Sequence, residues 1–223
     1  MNLSSDTLDI LKNFSDINQN ILVKPGKKLQ TISTMKNILA EADITEDFGQ
    51  EFAIYNLSEF LRSVELFKDK KPSLGFNGGS AVTISEESGK RNIKYFFADK
   101  SVIVAPTKSI TMPDSFVSFT LKKESFAELM KGVLTLNLPD ISVVGDGSTI
   151  KLHGADRKNS TSNTYSVDVG ETDKTFKAHF KAENFKMVQD DYDVSISSQK
   201  ISHFINRNRP VQYWIALEPD SEF

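Results

Sequence analysis

The feature that most constrains the fold of this 223-residue chain is a strand pattern that passes directly into a helix pattern. In residues 51–67, alternating apolar residues are followed without a loop by apolar residues at helical spacing. Residues 115–133 and 175–188 repeat this arrangement. A supersecondary unit that recurs in order along one chain indicates an internal duplication.

The order of the other segments extends the duplication to whole domains. Residues 4–17 carry apolar residues at helical spacing behind a serine N-cap, and residues 122–133 form the corresponding helix of the second half. A short helix is predicted at Ala182–Val188. The extended stretch "SVIVAPTKSITMPDS" carries two prolines and indicates a linker. We therefore predict two similar domains, residues 1–108 and 109–223.

The balance of helices and strands predicts an α+β fold. Each half has two predicted helices and about seven or eight short strands with half-buried alternation. Two helices cannot cover both faces of so many strands, but they can cover one face. Each domain is therefore expected to be an antiparallel sheet with two helices on one side.

Composition and charge limit the classes of protein to which this chain can belong. Hydrophobic residues make up 39% of the chain and charged residues 26%, which is typical of a globular protein. The absence of cysteine excludes disulfides and thiolate metal sites. No apolar run approaches membrane-spanning length, and no signal peptide is expected. The net charge of −3 shows no overall basic excess of the kind that favours nucleic acid binding.

Motifs for catalysis or cofactor binding are missing from the sequence. There is no phosphate-binding loop, dinucleotide fingerprint, nucleophile elbow or zinc-protease motif. His153, His179 and His203 are isolated from other residues at metal-ligand spacing. We therefore expect no enzymatic activity, no cofactor and no metal site.

Five stretches carry a resemblance, and they are "LKNFSDIN" (residues 11–18), "LAEADI" (39–44), "FAIYNLSEFL" (52–61), "VIVAP" (102–106) and "WIALEPDSEF" (214–223). In matching order along the chain, they resemble the DNA polymerase sliding clamp of T-even-type bacteriophages. None of them is a catalytic motif, so the resemblance rests on their number and order.

This resemblance implies a homotrimeric ring of six similar domains, with sheets outside and helices around a central hole for double-stranded DNA. It further implies an ATP-dependent clamp loader and a tethered DNA polymerase as partners. Members of the family also activate late transcription, which adds late transcription factors and RNA polymerase. The expected location is the cytoplasm of the infected bacterial host, and no membrane partner is expected.

Basic residues of the predicted helices are the candidates to face DNA. Acidic residues are about as frequent on these helices, so the alternative of ordinary solvated helix faces stays open. A ring that holds DNA by topology needs only weak, diffuse phosphate contacts. The candidates are Lys12, Arg62, Lys122, Lys123, Lys131 and Lys186.

Two further sets of candidates follow from the resemblance. Apolar residues of the linker and of the C-terminal strand are expected to form a pocket for partner peptides, or else only to join the two domains. The pocket set is Val104, Pro106, Ile110, Met112, Ala216, Leu217 and Pro219.

The strands at residues 92–99 and 164–171 are expected to meet between subunits, or else to be internal to their own sheets. The interface set is Ile93, Tyr95, Phe96, Phe97, Tyr165 and Val167.

Two hypotheses from other classes remain open at this point. The chain could be a monomeric interaction module made of two α+β domains. It could also be a single-strand-binding accessory protein, in which Arg207, Arg209, Tyr213 and Trp214 stack against and neutralise the nucleic acid.

Overall fold

A computed structural model describes residues 1–68 and 72–223 of the chain. The sequence also predicts that Lys68, Lys70 and Lys71, just past the end of a helix, add to the DNA-facing surface, and Lys70 and Lys71 lie outside the described residues. The chain divides into two compact units, Met1–Lys108 and Ser109–Phe223. Each unit combines antiparallel strands with few helices, which confirms the predicted fold class of two tandem α+β domains.

The described residues of unit 1, 1–68 and 72–108, form two α-helices and seven strands. Ladders join β1 with β4, β2 with β3, and β5, β6 and β7 in that order. The elements are α1 (Ser5–Ile17), β1 (Ile21–Val23), β2 (Gly26–Ile32), β3 (Ile38–Phe48), β4 (Phe52–Ile54), α2 (Leu57–Glu65), β5 (Ser73–Phe76), β6 (Ala81–Ser85) and β7 (Asn92–Phe96).

Both helices of unit 1 begin at side-chain caps that the sequence supplies. The Ser4 hydroxyl accepts from the Thr7 amide, and the Asn56 side chain accepts from the Glu59 amide. The apolar stripe of α1 is buried, from Ile10 to Ile17, and the opposite side of the helix is exposed. The predicted helices at residues 4–17 and 57–67 are therefore confirmed, with α2 ending two residues early.

The core of unit 1 includes a cluster of phenylalanine rings beneath the strands. The rings of Phe52 and Phe97 stack with centroids 5.1 Å apart, and Phe48 meets Phe52 edge-on at 5.4 Å. Phe76 packs against all three. Aromatic pairs at these distances add to the free energy gained from burial alone, so the cluster ties β3, β4, β5 and the residue after β7 together.

Unit 2 contains one α-helix and eight strands. Its strands form one sheet in the order β11-β10-β9-β12, and a run of antiparallel pairs in the order β15-β14-β13-β8. The elements are β8 (Val117–Leu121), α3 (Lys123–Thr135), β9 (Asp140–Asp146), β10 (Thr149–Ala155), β11 (Tyr165–Glu171), β12 (Thr175–Lys181), β13 (Tyr192–Ser197), β14 (Ile201–Asn206) and β15 (Val211–Ala216).

The predicted α-helix at Ala182–Val188 is wrong. Only a 3₁₀ turn forms there, at Ala182–Asn184, closed by a bond from the Phe185 amide to the Ala182 carbonyl. Phe185 and Met187 are both buried and Lys186 between them is exposed, which is strand-like rather than helical spacing. A segment this short also gains too few hydrogen bonds to offset helix nucleation.

Candidate functional site

The exposed side of α1 and α2 carries two of the predicted DNA-facing residues. Lys12 and Arg62 are both exposed. The Lys12 Nζ atom lies 3.2 Å from Glu65 Oε1, so an ion pair joins the outer faces of the two helices. Because both partners are more than half exposed, this pair adds little stability, and water or a phosphate can replace it.

The beginning of α3 carries Lys122 and Lys123, which are exposed. Lys122 occupies the N-cap position and provides no side-chain cap. Asp191 takes that role, because its Oδ1 accepts from the Lys123 amide at 2.8 Å and its Oδ2 lies 3.2 Å from the Lys122 Nζ. These two contacts lower the pKa of Asp191. The carboxylate therefore neutralises part of the positive charge at this helix end.

The remaining candidates of this set differ in their surroundings. Lys131 is exposed on α3, as predicted. Lys186 is exposed but follows the 3₁₀ turn, so its predicted place on a helix is wrong. Of the candidate set, Lys12 and Lys122 form ion pairs with carboxylates, so phosphate contacts by these two lysines must compete with existing ion pairs.

The predicted pocket residues lie in two separate parts of the chain. In unit 1 the Val104 backbone is fixed by side chains, because its carbonyl accepts from Asn18 and its amide donates to Asn20. Pro106 is buried. In unit 2, Ile110, Met112 and Ala216 are half-buried, Leu217 is buried and Pro219 is exposed. Their use as a peptide pocket stays a prediction.

Strand β7 has one open edge in the described part of the chain, because it pairs only with β6. Ile93 and Tyr95 are half-buried and alternate with exposed residues. The Tyr95 ring meets Phe60 of α2 edge-on at 5.3 Å, and its hydroxyl donates to the Asn56 carbonyl. Burial raises the pKa of this tyrosine, with a smaller contribution from Glu59. Phe96 points the other way and is 63% exposed.

Strand β11 is also a terminal strand of its sheet, in unit 2, since it pairs only with β10 among the described strands. Tyr165 and Val167 are half-buried. Tyr165 packs directly on α3, where a Cβ atom at Gly132 would lie 2.4 Å from its ring. A glycine is therefore required for the close approach of this helix to the edge strand. The part of the interface set that lies on β7 and β11 occupies strand edges, and contact between subunits there stays a prediction.

Sequence reasoning missed two large apolar side chains on the helix ends. Leu66 at the end of α2 is 71% exposed and Leu134 in α3 is 70% exposed. The sequence alone does not single out Leu134, because neighbouring helix residues lie about 100° apart and can both be buried, as Phe60 and Leu61 of α2 are.

The predicted single-strand-binding stretch does not expose its aromatic rings. Tyr213 is fully buried, and burial raises its pKa to about 12. Trp214 is 7% exposed and stacks on His203, with ring centroids 4.4 Å apart. Neither ring offers a face to a base, so these residues pack the interior instead of binding nucleic acid.

No group of three or more metal-ligating side chains occurs within residues 1–68 and 72–223. The histidines are hydrogen-bonded to polar neighbours, such as His179 to Ser142 at 2.7 Å and His153 to Ser166 at 2.8 Å. Across the same residues, no helix is long and apolar enough to cross a membrane.

Comparison with protein families gives a match in each unit. Residues 4–105 match the family model for a DNA polymerase processivity factor, and residues 118–219 match the model for the C-terminal part of the gp45 sliding clamp. The chain is also 35% identical to the sliding clamp of Vibrio phage KVP40, over 98% of its own length and 99% of the relative's. The chain belongs to the sliding clamp family of T4-like phages.

Other sliding clamps agree with this membership. The sliding clamps of Escherichia phage RB69 and Enterobacteria phage T4 are each 28% identical to the chain, over 99% of its length and 98% of theirs. The clamp fold extends further than the sequence similarity. Proliferating cellular nuclear antigen from Thermococcus kodakaraensis matches with a TM-score of 0.70 at 12% identity, covering 97% of this chain and 98% of that one. The same protein from Entamoeba histolytica matches at 0.66 and 15%, covering 96% and 95%.

Proposed function

We propose that three copies of this sliding clamp close into a ring around double-stranded DNA and tether a DNA polymerase during processive synthesis. The open edges of β7 and β11, one in each unit, carry this proposal. An open strand edge exposes unpaired amide and carbonyl groups, and pairing it with a partner's edge removes that liability. Two different edges on one chain give a head-to-tail contact, which generates a closed ring when the rotation fits.

The candidate DNA-facing residues Lys12, Arg62, Lys122, Lys123, Lys131 and Lys186 supply weak contacts in this proposal. The ion pairs of Lys12 with Glu65 and of Lys122 with Asp191 support sliding, because a lysine shared between a carboxylate and a phosphate holds neither tightly. Affinity that scales with neutralised phosphates would anchor the ring in place. A closed ring keeps its hold on DNA by topology and does not need that affinity.

Partner proteins are proposed to dock on the apolar residues of the linker and the C-terminal strand. The set is Val104, Pro106, Ile110, Met112, Ala216, Leu217 and Pro219, and short peptides of the polymerase and of an ATP-dependent clamp loader are the proposed ligands. Late transcription factors and RNA polymerase are proposed to use the same surface when the clamp activates late transcription. The chain itself is proposed to be non-catalytic, with ATP hydrolysis supplied by the loader in the cytoplasm of the infected host.

The oligomeric mass and the mode of DNA retention test this function. Light scattering should give about 75 kDa, three times the chain mass of 25.0 kDa. With a loader and ATP, the clamp should remain on nicked circular DNA at high salt and leave when the circle is cut. A chain that stays monomeric at micromolar concentration, or that stays bound to the cut DNA, would contradict the ring and favour the monomeric interaction module.

A further inference from the structure

We propose that Lys94 of β7 and Asp168 of β11 form a charge pair across each subunit junction and fix the register in which the two strands meet. The inference rests on the proposed ring, because it specifies how one copy's β7 edge recognises the next copy's β11 edge. Four observations carry it: the direction of the free main-chain groups, the alternation of side chains, the match of apolar positions, and the unpaired charges.

The hydrogen bonds of β7 define which of its main-chain groups are free. The Phe97 amide donates to the Ser80 carbonyl at 2.8 Å, and the Glu86 amide donates to the Arg91 carbonyl at 3.3 Å. Odd-numbered residues thus bond toward β6, and by the alternation of an antiparallel ladder the even-numbered residues point away from it. Ala98, the next even residue, donates to Ala53 at 2.9 Å and so marks the end of the free edge. The free groups belong to Asn92, Lys94 and Phe96.

Side chains on the two edges alternate in matching ways. On β7, Ile93 and Tyr95 are half-buried on the side of the helix, while Lys94 is exposed on the other side. On β11, Val167 is half-buried and Asp168 is exposed. A shared sheet must keep apolar residues on the helix side of both strands, so a register that is off by one residue is excluded.

One antiparallel register matches every apolar position on the helix side. It places Tyr95 against Val167 and Phe97 against Tyr165, and it brings Ile93 to Val169, the bulge residue of β11. The ladders between described strands within each unit are antiparallel, so this orientation continues the architecture. A slip of two residues leaves an apolar side chain without its counterpart.

The same register brings Lys94 directly opposite Asp168 on the exposed side. A slip of two residues would place Lys94 against Ser166 or Gly170 instead. On β11, Gly170 and Asp168 pair with consecutive residues of β10, so the bulge falls at Val169 and leaves Asp168 at the end of the regular ladder. The charge pair therefore distinguishes the matched register from its nearest alternatives.

Both charges are available for a partner within residues 1–68 and 72–223. Lys94 makes no ion pair there, and its Nζ lies 5.0 Å over the ring of the neighbouring Phe96. Asp168 faces Lys151 across the β10–β11 ladder, but the Lys151 Nζ lies 3.8 Å from Asp146. Opposite charges directly across two strands are favourable and like charges are unfavourable, so reversing one charge should disfavour this register strongly.

Charge reversal and its reciprocal swap test the pair. At low salt, Lys94→Glu should raise the dissociation constant of the trimer at least about 10-fold, because two carboxylates then face each other. Adding Asp168→Lys on the same chain should bring the constant back to within about 3-fold of the unmodified protein. Lys27→Glu, the same change at an exposed position of β2, should leave it nearly unaltered. Sedimentation over a concentration series measures all of these.

Cysteine cross-linking reads the register independently of affinity, because the natural chain has no cysteine. The matched register places Phe96 opposite Ser166, so the pair Phe96→Cys and Ser166→Cys should form disulfides between copies. Asn92→Cys with Ser166→Cys places the sulfur atoms four residues apart along the strand, about 13 Å, which is too far for a disulfide. Cross-linking by the second pair and not the first would overturn the proposed register.

The outcomes separate this inference from the proposed ring. Phe96→Pro removes a free amide of the β7 edge regardless of register and should dissociate the trimer while the chain stays folded. If it does so, and Lys94→Glu behaves like Lys27→Glu or the swap fails to restore assembly, the ring stands and the charge pair is refuted. If the unmodified chain is monomeric at every concentration, the proposed function fails first.

Discussion

Asp140 shows how a single buried carboxylate stabilises unit 2. Its side chain is 3% exposed, its Oδ1 accepts from the Lys181 Nζ at 2.6 Å, and its Oδ2 accepts from the Arg157 amide at 3.2 Å. Burial alone would raise the pKa of Asp140, but the Lys181 and Arg157 contacts outweigh it and lower the pKa below its ordinary value. The ionised form is therefore the one that favours the folded state.

Replacing this carboxylate gives a prediction at the residue scale. Asp140→Asn should lower the free energy of unfolding by about 1.5–3 kcal/mol near pH 7, since it removes a charged hydrogen-bond partner. A lowered folded-state pKa means that the contribution is full above about pH 4 and is lost as the pH falls through that pKa. Urea unfolding should thus show that the difference in free energy of unfolding between the two proteins decreases as the pH falls. Asp173→Asn, an exposed control, should behave like the natural chain throughout.

At the scale of elements, Glu46 fastens α1 to β3. Its carboxylate accepts from the Ser4 amide and, through the other oxygen, from the Thr7 hydroxyl, and it is 9% exposed. Burial tends to raise the pKa of Glu46, and these hydrogen bonds together lower it. One strand residue therefore satisfies donors of the first helical turn, and its charge lies at the positive end of the helix dipole.

The corresponding prediction concerns the docking of α1. Glu46→Ala should lower the free energy of unfolding by about 2 kcal/mol, because a helix-start amide and a buried hydroxyl lose their acceptor. Asp47→Ala, on the exposed side of the same strand, should change it by less than about 0.5 kcal/mol. Hydrogen exchange of the α1 amides should increase in the first variant only. Unchanged protection of α1 would show that the apolar stripe alone holds the helix.

At the scale of the whole molecule, the proposed ring predicts which surface charges affect the rate of loading onto DNA. Lys123 and Lys131 are exposed on α3 and belong to the proposed DNA-facing surface. Reversing both to glutamate should slow loading onto DNA several-fold at low salt and leave the trimer mass unchanged. The difference should shrink at high salt, because exposed charges are screened within about 3 Å at 1 M. Loading kinetics across a salt series measure this effect.

A matched control reverses the same number of charges on a strand and a turn instead of on a helix. Lys27→Glu with Lys36→Glu alters β2 and the turn that follows it, where both lysines are exposed. This variant should load at the rate of the natural clamp at every salt concentration. Equal slowing in the two variants would mean that net charge governs loading and that α3 has no special place in it.

Local sequence determined the helices of unit 1, the strand periodicity and the tandem fold. Helix caps such as Ser4 and Asn56 and the spacing of apolar residues act within a few residues. They can therefore be recognised from the sequence without knowledge of contacts with distant residues. Family membership could also be recognised from the sequence, because similar stretches occur in the same order along the whole chain.

Only the tertiary structure decided the features that depend on distant residues. Asp191 caps α3 from 68 positions away, and the 3₁₀ turn replaces a helix because Phe185 and Met187 are both drawn into the core. The same holds for the burial of Trp214 and for the pairing of Lys12 with Glu65. Which strands keep an open edge is likewise a property of the assembled sheet, because a strand's own sequence does not specify how many neighbours it pairs with.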